Sequence, residues 1–272
     1  MQIRHATHPD DAARLSTDQL RERFLLEDLF EPGEVRLVLT HDDRMVLGGA
    51  VPDGGELALE APEELRAATF CERREVALVN LGEPGAVVVD GEAYEVGHHD
   101  VLYVGIGASE VIMSGTGARY YLVSAQASAS HPTALMRHED AVTLHLGEPE
   151  QANVRSLRRF IADDGLASDR LVLGITTLAP GSVWNTMPAH THDRRTEVYL
   201  YTDLGSDGRV MHLCGEPSNL RTIVVSDGEA VVSPSWSVHA GSGTQAYSFV
   251  WAMSGENRAF TDMDAVPVAE LR

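Results

Sequence analysis

Lysine is missing from this 272-residue chain: all 21 basic residues are arginine. That absence excludes every mechanism built on a lysine Schiff base, and with it the lysine of a phosphate-binding P-loop. No Gly-x-Gly-x-x-Gly opens a helix after a strand, which removes the usual dinucleotide cradle. Cysteine is scarce too. Cys71 and Cys214 lie far apart without Cys-x-x-Cys spacing and read as reduced core residues, not as a disulfide or a metal clip. No apolar run approaches the ~20 residues of a membrane span, and Met1-Gln2-Ile3-Arg4-His5 lacks the hydrophobic stretch of a signal peptide, so a cytoplasmic protein without a membrane partner is expected. Basic residues are outnumbered by 41 acidic ones, and the resulting charge of −20 repels nucleic acid.

What the chain has in quantity is strand pattern and apolar residues, which make up 43% of it, ample for a core. Short β-rich runs recur between turns: 35–39, 76–80, 86–89, 101–104, 119–123, 171–177, 197–201, 222–225, 230–232 and 247–251. Asp90-Gly91 and Asp227-Gly228 read as hairpin turns of an antiparallel fold. Helical signal concentrates near the start, where Ser16-Thr17-Asp18-Gln19 forms a capping box ahead of 20–26. The expected class is all-β, with barrels or sandwiches and a few short helices.

A repeat is visible within this pattern. Cys71-Glu72-Arg73-Arg74-Glu75-Val76 matches Asp193-Arg194-Arg195-Thr196-Glu197-Val198, and Asp100 to Gly105 matches Glu229 to Pro234. Two copies of one β barrel are expected, 1–130 and 131–272, joined where Ala, Ser and Pro cluster. Only the second copy is armed. The first offers Ala67 to Phe70, and Ser109, where the second has histidines.

Those histidines carry the functional reading. His190 and His192 share one face of an extended chain, because the side-chain period of a strand is two. Asp193 to Thr196 can reverse the chain and bring Glu197 back beside them, and His239 follows an apolar strand ending at Pro234. Three imidazoles and a carboxylate suit a borderline divalent ion: zinc, iron, manganese or nickel. His98, His99, His145 and His212 read as ordinary hydrogen-bonded residues.

The run Trp184 to Tyr199, with Glu72 to Glu75, Ser233 to Ser237, Gly255 to Asn257 and Asp262 to Asp264, resembles the 5-keto-4-deoxyuronate isomerase family of the cupin superfamily. Trp236 stands where the general cupin pattern has glycine. The resemblance implies two tandem cupin (jelly-roll) barrels and homohexamers. It also implies one zinc per subunit on His190, His192, Glu197 and His239, with Fe²⁺ or Mn²⁺ as alternative ions. The implied activity converts 4-deoxy-L-threo-5-hexosulose uronate to 3-deoxy-D-glycero-2,5-hexodiulosonate in pectin and uronate catabolism.

Such an isomerisation needs an acid–base group, and Tyr199, Tyr201, Asp262 and Asp264 are the candidates. The substrate carboxylate needs a cation, for which Arg194 and Arg195 are expected, with Arg73 or Arg74 a second possibility. Trp184, Trp236 and Trp251 are candidate aromatic walls. Other readings remain: a closed four-ligand zinc with a structural role, a 5-deoxyglucuronate isomerase, an iron-dependent dioxygenase, and a sugar-acid-binding protein without turnover.

Overall fold

A computed structural model describes residues 1–272 and resolves into two compact units. The first contains residues 1–4, 28–142 and 160–172, and the second 5–27, 143–159 and 173–272. The division is therefore interleaved, where the sequence suggests a single break after residue 130. The N-terminal helices and Leu25–Leu26 belong with the second unit, because that short strand pairs with Ala230–Ser233.

Each unit is built from a seven-stranded and a four-stranded sheet, and the expected all-β, two-barrel class is what is observed. In the first unit the large sheet runs Gln2–Arg4, Val35–Thr40, Val46–Ala50, Tyr120–Gln126, Arg74–Asn80, Val101–Val104, Ala134–Met136. Its small sheet runs Glu56–Ala58, Val111–Ser114, Gly85–Val89, Glu92–Val96. Leu78, Leu102 and Leu122 from the large sheet pack on Val87, Val111 and Met113 from the small one. These strands alternate buried with less buried residues where one face meets water, and are buried throughout where both are covered.

The second unit repeats the plan. Arg155–Ile161, Val172–Leu178, Ser248–Gly255, Arg195–Thr202 and Ala230–Ser233 follow one another in its large sheet as their counterparts do in the first. Trp184–Asn185, Ala240–Gly243, Val210–Cys214 and Arg221–Val225 make the small one. All ten runs expected from sequence are strands, and the weaker ones, such as Val46–Ala50 and Arg155–Ile161, were hidden by two glycines in the first and three arginines in the second.

Turn chemistry separates the two Asp-Gly pairs. Asp90 and Gly91 both take positive φ (48° and 86°) in the two-residue loop between paired strands, the hairpin expected. Asp227-Gly228 instead links Arg221–Val225 to Ala230–Ser233, which lie in different sheets, and so is not a hairpin. Asp227 is held there by accepting from Leu204 N, while Gly228 N donates to Tyr201 O. The capping box of Ser16 and Gln19 is present, but the helix stops at Phe24 and the next two residues are strand. No helix is long and apolar enough to cross a membrane.

Glu75, the repeat partner of Glu197, is completely buried in the first unit. Its carboxylate accepts four hydrogen bonds of 2.7 Å, from the backbone N–H of Asp169, Arg170 and Leu171 and from the Tyr103 hydroxyl. Removing it deletes four buried hydrogen bonds at once. Glu75→Ala is expected to lower unfolding free energy by about 3 kcal/mol, read from the urea midpoint; an unchanged midpoint would show that water replaces the carboxylate at no cost.

Candidate metal centre

Four different segments deliver the donor atoms. His190 lies on a two-residue strand that pairs with Asp264–Ala265, His192 follows on the turn, Glu197 sits early in strand Arg195–Thr202, and His239 immediately precedes Ala240–Gly243. The turn before His239 is closed by Ser237 N donating to Pro234 O at 2.8 Å. His192, Glu197 and His239 are buried, and His190 is half-buried.

The donors converge. His190 Nε2 is 3.1 Å from His192 Nε2 and 3.0 Å from His239 Nε2, and Glu197 Oε2 is 2.9 Å from both His192 Nε2 and His239 Nε2. Atoms about 2.0–2.2 Å from one shared ion stand about 3–3.5 Å apart, so the spacing fits a single divalent cation.

Tautomers strengthen the case. His192 Nδ1 faces the Asp262 carbonyl at 2.7 Å and His239 Nδ1 faces the Ser237 carbonyl at 3.4 Å. A carbonyl only accepts, so each of these contacts is satisfied by a ring that carries its proton on Nδ1 and turns its Nε2 lone pair inward; Arg195 Nη2 also lies 3.3 Å from His192 Nδ1. Imidazoles whose Nε2 atoms face inward beside a buried carboxylate are a ligand set. Burial, and then the neighbouring His239, push His190 down to about 3. For Glu197 burial alone works in the opposite direction, yet His239 and His192 together hold its carboxyl well below the usual range.

The remaining expected residues divide sharply. Trp251, Tyr199 and Glu197 line a pocket of about 330 Å³ that opens beside the four donors, together with Arg155, Phe249 and Phe260. Gly174 makes room for the Trp251 indole, whose Nε1 donates to Thr176 Oγ1 at 3.1 Å; a Cβ on Gly174 would stand 2.0 Å from that ring. The other two tryptophans do not line this pocket. Trp184 is in the small sheet and Trp236 packs edge-on against Phe24, with 6.2 Å between ring centroids.

Arg194 and Arg195 also point elsewhere. Arg194 is bound to both Asp262 and Asp264 at 2.7 Å, and buried Arg195 donates to the carbonyls of Ala259 (2.7 Å) and Asp262 (2.9 Å). Asn257 Nδ2 adds a bond to Asp262 at 2.6 Å. These residues tie down the tail whose Asp262 carbonyl orients His192, a positioning task in place of the carboxylate binding expected of the arginines. Asp262 and Asp264 are likewise engaged by Arg194, which holds the Asp262 carboxyl at about 2. Tyr201 is directed to His212 Nδ1 at 2.8 Å, away from the pocket lining.

Tyr199 does face the pocket. Its hydroxyl is 2.8 Å from Thr186 Oγ1, and burial followed by the Glu197 charge raises its phenol well above 10, so it stays protonated. Arg155, absent from the sequence-based set, is the pocket's arginine. Its signal was available in the i, i+2 pair Arg155 and Leu157, which share one strand face. Arg73 and Arg74 line a separate pocket inside the first unit.

The model of the KduI/IolB family matches residues 24–268. A 4-deoxy-L-threo-5-hexosulose-uronate ketol-isomerase of Kineococcus radiotolerans is 52% identical over 279 residues, with both chains fully covered. The protein of the same name from Halalkalibacterium halodurans is 47% identical over 276 residues, again with full coverage. Among solved structures, an IolB-like protein from Salmonella typhimurium is 16% identical and superposes with a TM-score of 0.75, covering 89% of this chain and 96% of that one, a likeness of fold.

Two outcomes follow from this geometry. Chelated protein reloaded with zinc should take up about one ion per chain, and His239→Ala should take up almost none; equal uptake by the variant would dismiss the quartet. In metal-free protein, His190 and fully buried His212, both depressed to about 3, bind protons in the unfolded chain from about pH 6.5 downward but in the folded chain only near 3. Unfolded protein then holds more protons, so stability falls as pH drops from about 6.5 towards 3. A thermal midpoint that stays level across that window would contradict it.

Proposed function

The chain belongs to the KduI/IolB family, and from that premise we propose that it is a ketol-isomerase acting on 4-deoxy-L-threo-5-hexosulose uronate, with His190, His192, Glu197 and His239 holding its ion. The observation that carries this reading is full-length identity of 46–52% to relatives bearing that name, in a chain that keeps all four donors pointed at one centre. Zinc is the ion proposed, bound once per subunit of a cytoplasmic homohexamer. Held by these four residues, the ion would supply Lewis acidity to the substrate's carbonyl and neighbouring hydroxyl oxygens when bound.

The chain's own groups supply the rest. Arg155 is the one arginine lining the pocket, and its Nη1 donates only to the Asn153 carbonyl, at 2.8 Å. It carries no carboxylate partner and is assigned to the substrate carboxylate. Glu197 is the single carboxylate in the lining. With Oε2 turned to the histidines, its Oε1 is assigned to move the proton between neighbouring carbons. Tyr199, held protonated, donates to the oxygen on which negative charge develops. Trp251, Phe249 and Phe260 exclude water from the enediolate.

Purified protein is expected to convert the 5-ketouronate without consuming oxygen. Oxygen uptake would instead support a dioxygenase, and binding without conversion a sugar-acid-binding protein. Arg155→Met should raise KM roughly 10- to 100-fold with a smaller change in kcat. Tyr199→Phe should lower kcat roughly 100-fold while leaving bound metal unchanged; full turnover in that variant would remove Tyr199 from the chemistry.

A further inference from the structure

The first unit contains a second pocket, of about 250 Å³, whose lining includes Arg44, Arg73, Arg74 and Gln126. Arg74 opens strand Arg74–Asn80, opposite Gln126, and only 5% of it is exposed. One arm of its guanidinium donates to the backbone carbonyl of Arg44; the other, Nη1, is buried and has no hydrogen-bond partner. A buried guanidinium cannot shed its proton at neutral pH and is costly unless something answers its charge.

Nothing in the protein answers it. Burial, and then the neighbouring Arg44 charge, lower Arg74 to about 10, still cationic at neutral pH. Arg73 donates to the carbonyls of Leu65 and Arg66 and approaches Glu72 at 3.4 Å. Glu64, the acid in the lining, is 3.5 Å from the N-terminal amine. In a chain with 41 acidic residues, this buried arginine has no carboxylate partner, and the charged side chain that acts on it is another arginine.

We propose that this pocket binds a small oxyanion, a carboxylate or a phosphate borne on a molecule no larger than a sugar acid, with Arg74 Nη1 donating to it and Arg44 closing over it. A planar fork of N–H donors matches either group, and the volume leaves space for little more than such a head and a short body. This site is separate from the metal pocket, whose lining residues all belong to the second unit.

The test is calorimetric titration of metal-loaded protein with inorganic phosphate and, in a separate arm, with D-glucuronate, each against sodium chloride of equal ionic strength. One of the two is expected to bind, with at least a tenfold loss of affinity in Arg44→Gln and no binding in Arg74→Leu. Binding must survive Arg155→Met, which separates it from occupancy of the metal pocket. Ligand-free Arg74→Leu should melt at or above the parent temperature, because an unanswered buried charge has gone. Both first-unit variants keep isomerase turnover. The proposal is overturned if neither anion binds beyond the chloride control, or if Arg44→Gln binds as tightly as the parent.

Discussion

Three imidazole lone pairs and a carboxylate aimed at a single point repel one another unless a cation lies between them, and the second unit is arranged around that constraint. Two backbone carbonyls, of Asp262 and Ser237, fix the inward tautomers of His192 and His239. The Asp262 carbonyl is itself held by Arg195, and the Asp262 side chain by Arg194 and Asn257. A tail of the chain thus orients a ligand from outside the donor set. Loss of that outer layer typically costs 10- to 100-fold in metal affinity or activity, comparable to many direct contacts.

Duplication explains how the same fold solves two problems. Glu75 and Glu197 occupy matching positions in matching strands, and both are buried. In the second unit three histidines surround the carboxylate; in the first, where Ala68 and Phe70 replace the His-x-His pair, the carboxylate accepts three backbone N–H groups and a phenol instead. A buried carboxylate must have compensation, and only its chemical form differs: lone-pair donors that need an ion in one unit, N–H donors that need none in the other.

Period-two alternation and the Asp90-Gly91 turn made the strands and one hairpin legible in the sequence, since both are properties of a few adjacent residues. Asp227-Gly228 was not, because whether an Asp-Gly pair closes a hairpin or crosses between sheets depends on which distant strand each flank pairs with. The donor quartet was legible for the same local reason: His190 and His192 share a face, and one turn returns Glu197. The arginines were not. Arg194 and Arg195 sit beside the ligands in sequence, yet Asp262, Asp264 and Ala259, more than sixty positions on, claim their hydrogen bonds. Tyr199 and Tyr201 share a strand face, but Thr186 meets one and His212 the other, which no spacing rule reveals.

In so acidic a protein an arginine's address matters less than its partners. With 41 carboxylate side chains available to 21 arginines, the default fate of a guanidinium is neutralisation, as at Arg194 between two aspartates. A cation left without a carboxylate while partly or wholly removed from water is retained against an energetic cost, and its field is not shared. Arg155 in the metal pocket and Arg74 in the first unit both meet that description: each lines a cavity, each spends a nitrogen on a backbone carbonyl, and the charged or titratable groups acting on each include no carboxylate. The overall charge of −20 opposes the approach of any anion, so recognition of one must be concentrated at such places. Proximity to the ligands in sequence pointed to Arg194; the lack of a carboxylate partner points to Arg155, and the same criterion applied to the other unit picks out Arg74.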